Sequence, residues 1–293
     1  MERRYRVADH TFCLKMADSS PLWQELSNYA PFECKREAED IFCLKLADSL
    51  PAQEKKLLYA GDDEDPGMAR IAIYSIAEGL YIEMAPTQKA PVAATLQICS
   101  ACRKGLLATT DAQQAKFAID NSLMLMYAFR TAGSGTLEMH ASAVTYDGSA
   151  LLFLGRSGAG KSTHSRLWLE NIAGSALLND DNPIVRVLPG GEVRAYGSPW
   201  SGKTPCYKNQ SAPVAAVVSI RQAPHNAIRR LSLPEAYAII YPSCSGFRAD
   251  RQMSDALHES IATFASAVAA FELECLPNAD AAYTCKNAVS NER

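Results

Sequence analysis

The sequence has 293 residues, of which 48% are apolar and 21% are charged, and its formal net charge is −3. This length and balance predict about two globular domains and exclude a disordered chain. Because no long basic run is present, we expect no binding to nucleic acid or to an anionic membrane surface. The polar start and the lack of any stretch of about 18 apolar residues predict a cytoplasmic protein.

Nine cysteines are spread along the chain, and an odd number favours reduced thiols over a disulfide framework. Cys99 and Cys102 form a CxxC pair, which is typical of a redox pair or of half a zinc site. No second pair of Cys or His residues nearby would complete four ligands. We therefore interpret both as packing residues.

Residues 1–105 have the pattern of a β-rich N-terminal domain. Short apolar or alternating segments between turn-forming residues predict strands at 11–18, 41–48, 69–76 and 79–85. FCLKMADS at 12–19 and FCLKLADS at 42–49 are near-copies. They are too short to indicate a repeat architecture, so we expect two strands in similar environments of one sheet.

Residues 106–293 predict a second domain in which strands and helices alternate, so we expect an α/β fold for this domain. Together with the β-rich N-terminal domain, the whole chain is of the α+β class. Beyond a helical stretch at 111–132 and the motifs described below, further elements are expected toward the C-terminus. These are a strand at 213–221, a capping box at 232–235, a helix within 249–271 and a strand at 271–276.

GRSGAGKS at 155–162 matches the phosphate-loop (Walker A) template, between a predicted buried strand at 149–154 and a predicted helix that begins at Lys161. Its glycines let the backbone direct N–H groups at phosphate oxygens, and a helix N-terminus favours the same anion. Lys161 can reach the terminal phosphates, and the Ser162 hydroxyl can bind Mg²⁺. The predicted ATP-binding residues are Gly155, Ser157, Gly158, Ala159, Gly160, Lys161, Ser162 and Thr163.

GSPWSGKT at 197–204 fits the same template, but its residues argue against a second phosphate loop. Pro199 removes a backbone donor, and Trp200 puts a bulky ring where a phosphate must approach closely. No helical periodicity follows the lysine. What remains is a loop with Lys203 and an exposed-looking aromatic side chain, which is either a clamp for substrate or phosphate or a solvated turn.

ALLNDDN at 176–182 predicts a short strand that ends in Asp180 and Asp181. A one-helix crossover would place this strand beside the strand at 149–154 in a parallel sheet, with its carboxyl end near the Walker A loop. One carboxylate could then hold Mg²⁺ while the other accepts a proton from an attacking hydroxyl. A simple turn is the alternative interpretation.

LEMHASAV at 137–144 predicts another strand, joined to the strand at 149–154 by a hairpin through residues 146–148. It contains His140. A lone histidine is usually structural or solvated, so its spacing alone assigns it no role.

The order of these motifs resembles the catalytic domain of the HPr kinase/phosphorylase family, whose fold is akin to that of phosphoenolpyruvate carboxykinase. The resemblance covers about 136–205. It implies that His140 lies near the transferred phosphate, that Lys161 and Ser162 hold the nucleotide and the metal, and that Asp180 or Asp181 is the base. The expected catalytic residues are therefore His140, Lys161, Asp180 and Asp181. Ser162 and Asp181 are the expected metal ligands. It also implies transfer to a serine hydroxyl, with ATP and Mg²⁺.

The family has a signature of roughly Glu-x-Arg-Gly-x-Gly, and EVRAYG keeps Glu192, Arg194 and Gly197 but has Ala195 in place of the first glycine. The signature also lies closer to the acid pair than in that family. The chain therefore looks more like the divergent kinases related to HPr kinase, some of which are associated with peptide modification. Glu192, Arg194 and Lys203 are candidate residues for binding substrate or phosphate.

We therefore expect an ATP- and Mg²⁺-dependent phosphotransferase whose acceptor is a hydroxyl, with a serine of a protein or peptide preferred. One alternative is a small-molecule kinase or a carboxykinase-like enzyme. Another is a non-catalytic ATP-binding switch whose N-terminal domain binds a partner. The lack of an Asn-Lys-x-Asp motif disfavours a GTPase, and the lack of Glu after the acid pair disfavours a mechanical ATPase. The identity of the acceptor and the formation of homo-oligomers stay open.

Overall fold

A computed structural model describes residues 1–35, 39–61, 68–99, 101–202 and 204–290. It is a mixed α/β structure with two large sheets and several helices. The elements of its N-terminal part are β1 (Glu2–Val7), β2 (His10–Lys15), α1 (Leu22–Glu25), β3 (Glu33–Cys34), β4 (Cys43–Leu46), β5 (Lys56–Ala60), β6 (Arg70–Ile76), β7 (Gly79–Ala85), β8 (Ala94–Cys99), β9 (Lys104–Thr109) and α2 (Ala115–Thr131).

Two of these strands contain the near-copies. Within the described residues the first sheet has the order β3-β1-β2-β4-β9-β8-β7-β6-β5. Strands β2 and β4 are neighbours in it, parallel and in register, with Cys13 opposite Cys43 and Leu14 opposite Leu44. Both leucines are fully buried. The prediction of two strands in similar environments of one sheet is confirmed.

The elements that follow alternate between strands and helices. They are β10 (Thr136–Glu138), β11 (Ala141–Tyr146), β12 (Ser149–Leu154), α3 (Lys161–Asn171), β13 (Ala176–Asp181), β14 (Ile184–Val187), β15 (Val193–Tyr196), β16 (Ser211–Gln222), β17 (Ala227–Arg230), α4 (Leu233–Ile240), α5 (Arg251–Ala267), β18 (Ala269–Cys275) and α6 (Ala279–Ser290). None of the described helices is long and apolar enough to cross a membrane.

The chain divides into two compact units. The first contains Met1–Arg130 with Phe247–Arg251, and the second contains Thr131–Gly246 with Gln252–Arg293. The expected domain boundary, between residues 105 and 106, lies before α2, whereas this division lies at the end of that helix.

The second sheet has the order β10-β14-β15-β16-β12-β11-β13 in the described chain, and β18 with β17 extends it from β16. Strand β16 is long enough to pair with β15 near its start and with β18 along the rest of its length. Next to it, β12 runs parallel to β16. Parallel neighbours have their carboxyl ends at the same edge, where ligands collect in such sheets.

The predicted hairpin between β11 and β12 is confirmed, since Tyr146 pairs with Ser149 across a two-residue turn. Asp147 and Gly148 in that turn both have positive φ, as tight hairpins with a right-handed twist require. The prediction that β13 lies beside β12 is wrong. Because β11 and β16 occupy both edges of β12, β13 pairs with the outer edge of β11. It still runs in the same direction as β12.

Side chains along β12 alternate between two hydrophobic clusters on opposite faces of the sheet. Leu152 belongs to a cluster with Ile261 and Phe264 of α5. Phe153 belongs to a cluster with Trp168 of α3 and Cys285 of α6. Helices therefore cover both faces of β12, which fixes the strand that leads into the Walker A segment.

The elements expected toward the C-terminus are present as β16, α4, α5 and β18. The predicted capping box at the start of α4 is confirmed, because the Ser232 backbone N–H donates to Glu235 Oε2 at 2.8 Å. This bond satisfies one of the donors that a helix start leaves unpaired.

Candidate functional site

Gly155 begins the Walker A segment, which we call the first loop (Gly155–Ser162). Its φ is +147°, a conformation that residues with a Cβ rarely adopt. A Cβ there would also lie 2.9 Å from the Cβ of Ala159 and 3.1 Å from the carbonyl oxygen of Ile220. Glycine is therefore required at this position, both by the backbone conformation and by the close packing of the loop on β16.

Lys161 begins α3 and is almost fully buried. Its Nζ donates to the carbonyl oxygens of Gly155 and Arg156, at 2.9 and 3.3 Å. Burial lowers the pKa of this lysine, while the charges of Asp181 and Asp180 act in the opposite direction. The first N–H groups of a helix lack intrahelical acceptors, so this end of α3 combines a buried ammonium with backbone donors.

Ser162 and Asp180 meet across the carboxyl edge of the sheet. The Ser162 Oγ donates to Asp180 Oδ1 at 2.9 Å, and Asp180 is buried. A hydroxyl and a carboxylate are hard oxygen ligands of the kind that Mg²⁺ prefers. The two side chains therefore fit a magnesium site next to the first loop.

Asp181 lies beside His140, with 3.5 Å between its Oδ1 and the Nε2 of the histidine. The two side chains are 41% and 42% exposed, so both are accessible to a substrate. Burial and the nearby charge of Lys161 lower the pKa of His140, although the charge of Asp181 opposes this. Asp181 also has a φ of +135°, and such backbone strain is found most often at functional sites.

The second match to the template, Gly197–Thr204, is the second loop, and its conformation is different. No helix follows it in the described chain, where the next element is β16, as expected. The interpretation of Trp200 as exposed is wrong, since the side chain is only 3% exposed. Lys203 lies outside the described residues, so its candidate role stays a prediction.

The second loop is held against the end of β13 by polar contacts. Asn179 Nδ2 donates to the Trp200 carbonyl at 3.1 Å, and the Gly202 N–H donates to the Asp180 carbonyl at 2.6 Å. A Cβ on Gly202 would lie 3.1 Å from that of Asp181. The loop therefore supports the acid pair, which neither of the two interpretations of it from sequence anticipated.

Glu192 and Arg194 do not join this cluster. Arg194 Nη1 lies 2.7 Å from Glu192 Oε1, and Arg194 Nη2 donates to Ser211 Oγ at 3.1 Å. In the described part of the chain, neither side chain forms a hydrogen bond or ion pair with the acid pair. Their candidate role in binding substrate stays a prediction.

Glu138 is a site residue that the sequence analysis missed. It is fully buried, its Oε1 accepts from Ser245 Oγ at 3.4 Å, and its Oε2 has no partner among the described residues. Burial, helped by the charge of Asp181 and opposed by the Ser245 hydrogen bond, raises its pKa to about 8. The strand predicted at 137–144 is interrupted, because β10 ends at Glu138, β11 begins at Ala141 and His140 lies between them, so strand alternation gave no signal for Glu138.

A scan against models of protein families finds no match to the chain. A search among curated proteins finds none either. Among solved structures, the chain is similar to the HPr(Ser) kinase/phosphatase from Coxiella burnetii, with a TM-score of 0.33 and 13% sequence identity. That similarity covers 53% of this chain and 90% of the other chain. It is too weak to assign this chain to a family.

Proposed function

We propose that the protein is an ATP- and Mg²⁺-dependent phosphotransferase that transfers the γ-phosphate to a hydroxyl. The observation that carries the proposal is the hydrogen bond between Ser162 and Asp180 beside the buried Lys161. It joins oxygen ligands for a metal to a glycine-rich loop and a helix start, which are the parts that phosphoryl transfer requires.

In this proposal the first loop and the start of α3 hold the triphosphate. Backbone N–H groups at the helix start donate to phosphate oxygens. Lys161, which donates to two carbonyl groups of the loop itself, exchanges those bonds for bonds to phosphate. Its ammonium then stabilises the negative charge that spreads over the transferred group.

Ser162 and Asp180 would hold the magnesium ion. This assignment differs from the expectation of Ser162 with Asp181, because Asp180 is the acid that accepts the serine hydroxyl. When bound, Mg²⁺ would neutralise charge on the phosphate oxygens. The role of the chain is to hold two hard oxygen ligands close together at the end of the first loop.

Asp181 is the proposed base. Its half-exposed carboxylate takes the proton of the attacking hydroxyl, and the neighbouring His140 helps to hold it in position. Burial lowers the pKa of His140 and so favours the neutral ring beside the base.

A serine of a protein or peptide is the proposed acceptor. The resemblance of the motif order to the HPr kinase/phosphorylase family supports it, as does the exposure of Asp181, which a hydroxyl on another chain can reach from solvent. A small-molecule kinase would require a compact charged pocket. Arg194, a candidate for such a pocket, is instead paired with Glu192.

The test is incubation with γ-labelled ATP, Mg²⁺ and a lysate of the source organism, followed by separation of protein, peptide and small-molecule fractions. We expect label in one discrete protein or peptide species.

Lys161→Ala should lower ATP affinity at least tenfold. Asp181→Asn should lower transfer about 100-fold or more, the usual contribution of a general base, with ATP affinity nearly unchanged. Asp280→Asn, at the surface of α6, is the matched control.

The alternatives give different results in the same experiment. Label in the small-molecule fraction would indicate a small-molecule kinase. ATP binding without label in any fraction would contradict the proposal and favour the non-catalytic switch. Full transfer by Asp181→Asn would disprove the assignment of the base.

A further inference from the structure

A cavity of about 470 Å³ lies beside the first loop and takes no part in the acid site. Its lining includes Ala159 and Gly160 of the loop, Leu167 of α3, and Ile220 near the end of β16. It also includes Leu276, which follows β18 and is partly exposed. Its size is typical of pockets for small ligands, which are about 300–1,000 Å³ and mostly apolar.

His164 gives this cavity a polar group that the fold leaves unpaired. The Trp168 Nε1–H donates to His164 Nε2 at 3.1 Å, so Nε2 is the acceptor and the proton of the neutral ring is assigned to Nδ1. Nδ1 is buried and has no partner among the described residues.

Gln222 connects the rim of the cavity with the first loop. This exposed side chain lines the cavity, and its Nε2 donates to the carbonyl of Gly158 at 2.9 Å. Thr163, in the first turn of α3, also lines it. The cavity and the loop are therefore continuous, and one ligand can occupy both.

We infer that this cavity binds the base and ribose of the nucleoside triphosphate whose phosphates lie on the first loop. The inference rests on the proposed function. Leu167 and Ile220 provide apolar walls for the flat faces of a base. Thr163 and Gln222, which line the same cavity, supply polar groups for the sugar or for the edge of the base.

The test compares Mg²⁺-ATP with inorganic tripolyphosphate, which has the phosphates but neither base nor sugar, by titration calorimetry. The intact protein should bind ATP at least tenfold more tightly. Ala223→Phe places a ring into the cavity from its half-buried rim. It should lower ATP affinity about tenfold and leave tripolyphosphate affinity unchanged. Ala227→Phe, on the exposed strand β17, is the matched control and should change neither.

Unchanged tripolyphosphate binding by Ala223→Phe also demonstrates that the variant is folded. Equal affinity of the intact protein for ATP and tripolyphosphate would overturn the inference while leaving the phosphate site intact. So would full ATP affinity in Ala223→Phe. If the intact protein bound neither ligand, the proposed function itself would fail.

Discussion

The first and second loops fit the same template of Gly, four positions, Gly, Lys and Ser or Thr, yet they differ in the element that follows and in the partners of their described polar groups. The first loop leads directly into an 11-residue helix, and its lysine is buried against the loop. The second is followed by residues without regular secondary structure and then by β16. This is why our proposal places the phosphates at the match where a helix begins at the lysine, since a helix N-terminus favours an anion.

The polar groups of the two loops have different partners. The first N–H groups of α3 have no acceptor within the helix, whereas the N–H groups of Gly197, Trp200 and Gly202 in the second loop donate within the protein. There, Gly202 N–H bonds to Asp180, and the Ser198 Oγ donates to the Asn182 carbonyl at 2.6 Å. In the proposed function the first loop receives the phosphates, and the second loop contacts the acid pair next to it.

Replacing the first glycine of each loop with alanine should distinguish these two roles. The largest expected effect is the loss of stability in Gly197→Ala. A Cβ there would lie 2.0 Å from the backbone carbonyl oxygen of Lys208, which cannot move without shifting the chain. Gly197→Ala should lower the free energy of unfolding by about 3 kcal/mol or more. Gly155→Ala should cost about 1–3 kcal/mol from strain at its positive φ and should lower Mg²⁺-ATP affinity at least tenfold.

Chemical denaturation and ATP titration measure both quantities. Gly190→Ala is the control, because its φ is +102° but a Cβ there would meet nothing within 4 Å. It should cost about 1–2 kcal/mol and leave ATP affinity unchanged. If Gly197→Ala were as stable as Gly190→Ala, the second loop would not be packed as described.

The features that could be predicted from sequence are those set by neighbouring residues. The strand, the glycines and the amphipathic helix of the first loop are contiguous, and the Asp147–Gly148 turn specifies its hairpin locally. The position of β13 could not be predicted in this way. Local pattern does not determine which edge of a sheet a strand joins, and β11 reaches β12 first because only two residues separate them.

The second loop was misjudged because its contacts are long-range. An aromatic residue in a Gly- and Pro-containing segment is expected at the surface, and nothing near Trp200 indicates that Asn179 holds its carbonyl. Glu138 was missed for a related reason. Carboxylates are rarely fully buried, so an acid in a strand pattern predicts a solvent-facing position.

The pH dependence of stability should detect Glu138, which lies near the acid that the second loop supports. Its pKa is raised from the usual 4.5 to about 8, so the folded state keeps a proton that the unfolded state has lost. The stabilisation is present below about pH 4.5 and is lost as the pH rises to about 8. Between pH 6 and pH 8 the loss should be about 2 kcal/mol.

Glu138→Gln is neutral at every pH and should lack this loss when urea unfolding is measured at both values. The control is Glu192→Gln, because Glu192 is paired with Arg194 on the surface. This variant should lose as much free energy of unfolding between pH 6 and pH 8 as the intact protein does. If the free energy of unfolding changed by the same amount between pH 6 and pH 8 in Glu138→Gln and in the intact protein, Glu138 would be ionised in the folded state.

The smallest expected effect concerns the glutamines that contact the two loops. Gln222 holds the first loop through its side chain, which donates to Gly158, whereas Gln210 holds the second through its backbone carbonyl, which accepts from Gly197. A partly exposed hydrogen bond contributes about 0.5–1.5 kcal/mol. Gln222→Ala should therefore weaken Mg²⁺-ATP binding about twofold to tenfold and speed amide exchange in the first loop.

Gln210→Ala is the control, because it removes no bond to the second loop and should change neither quantity. Equal effects of the two substitutions would show that the Gln222 side chain does not restrain the first loop.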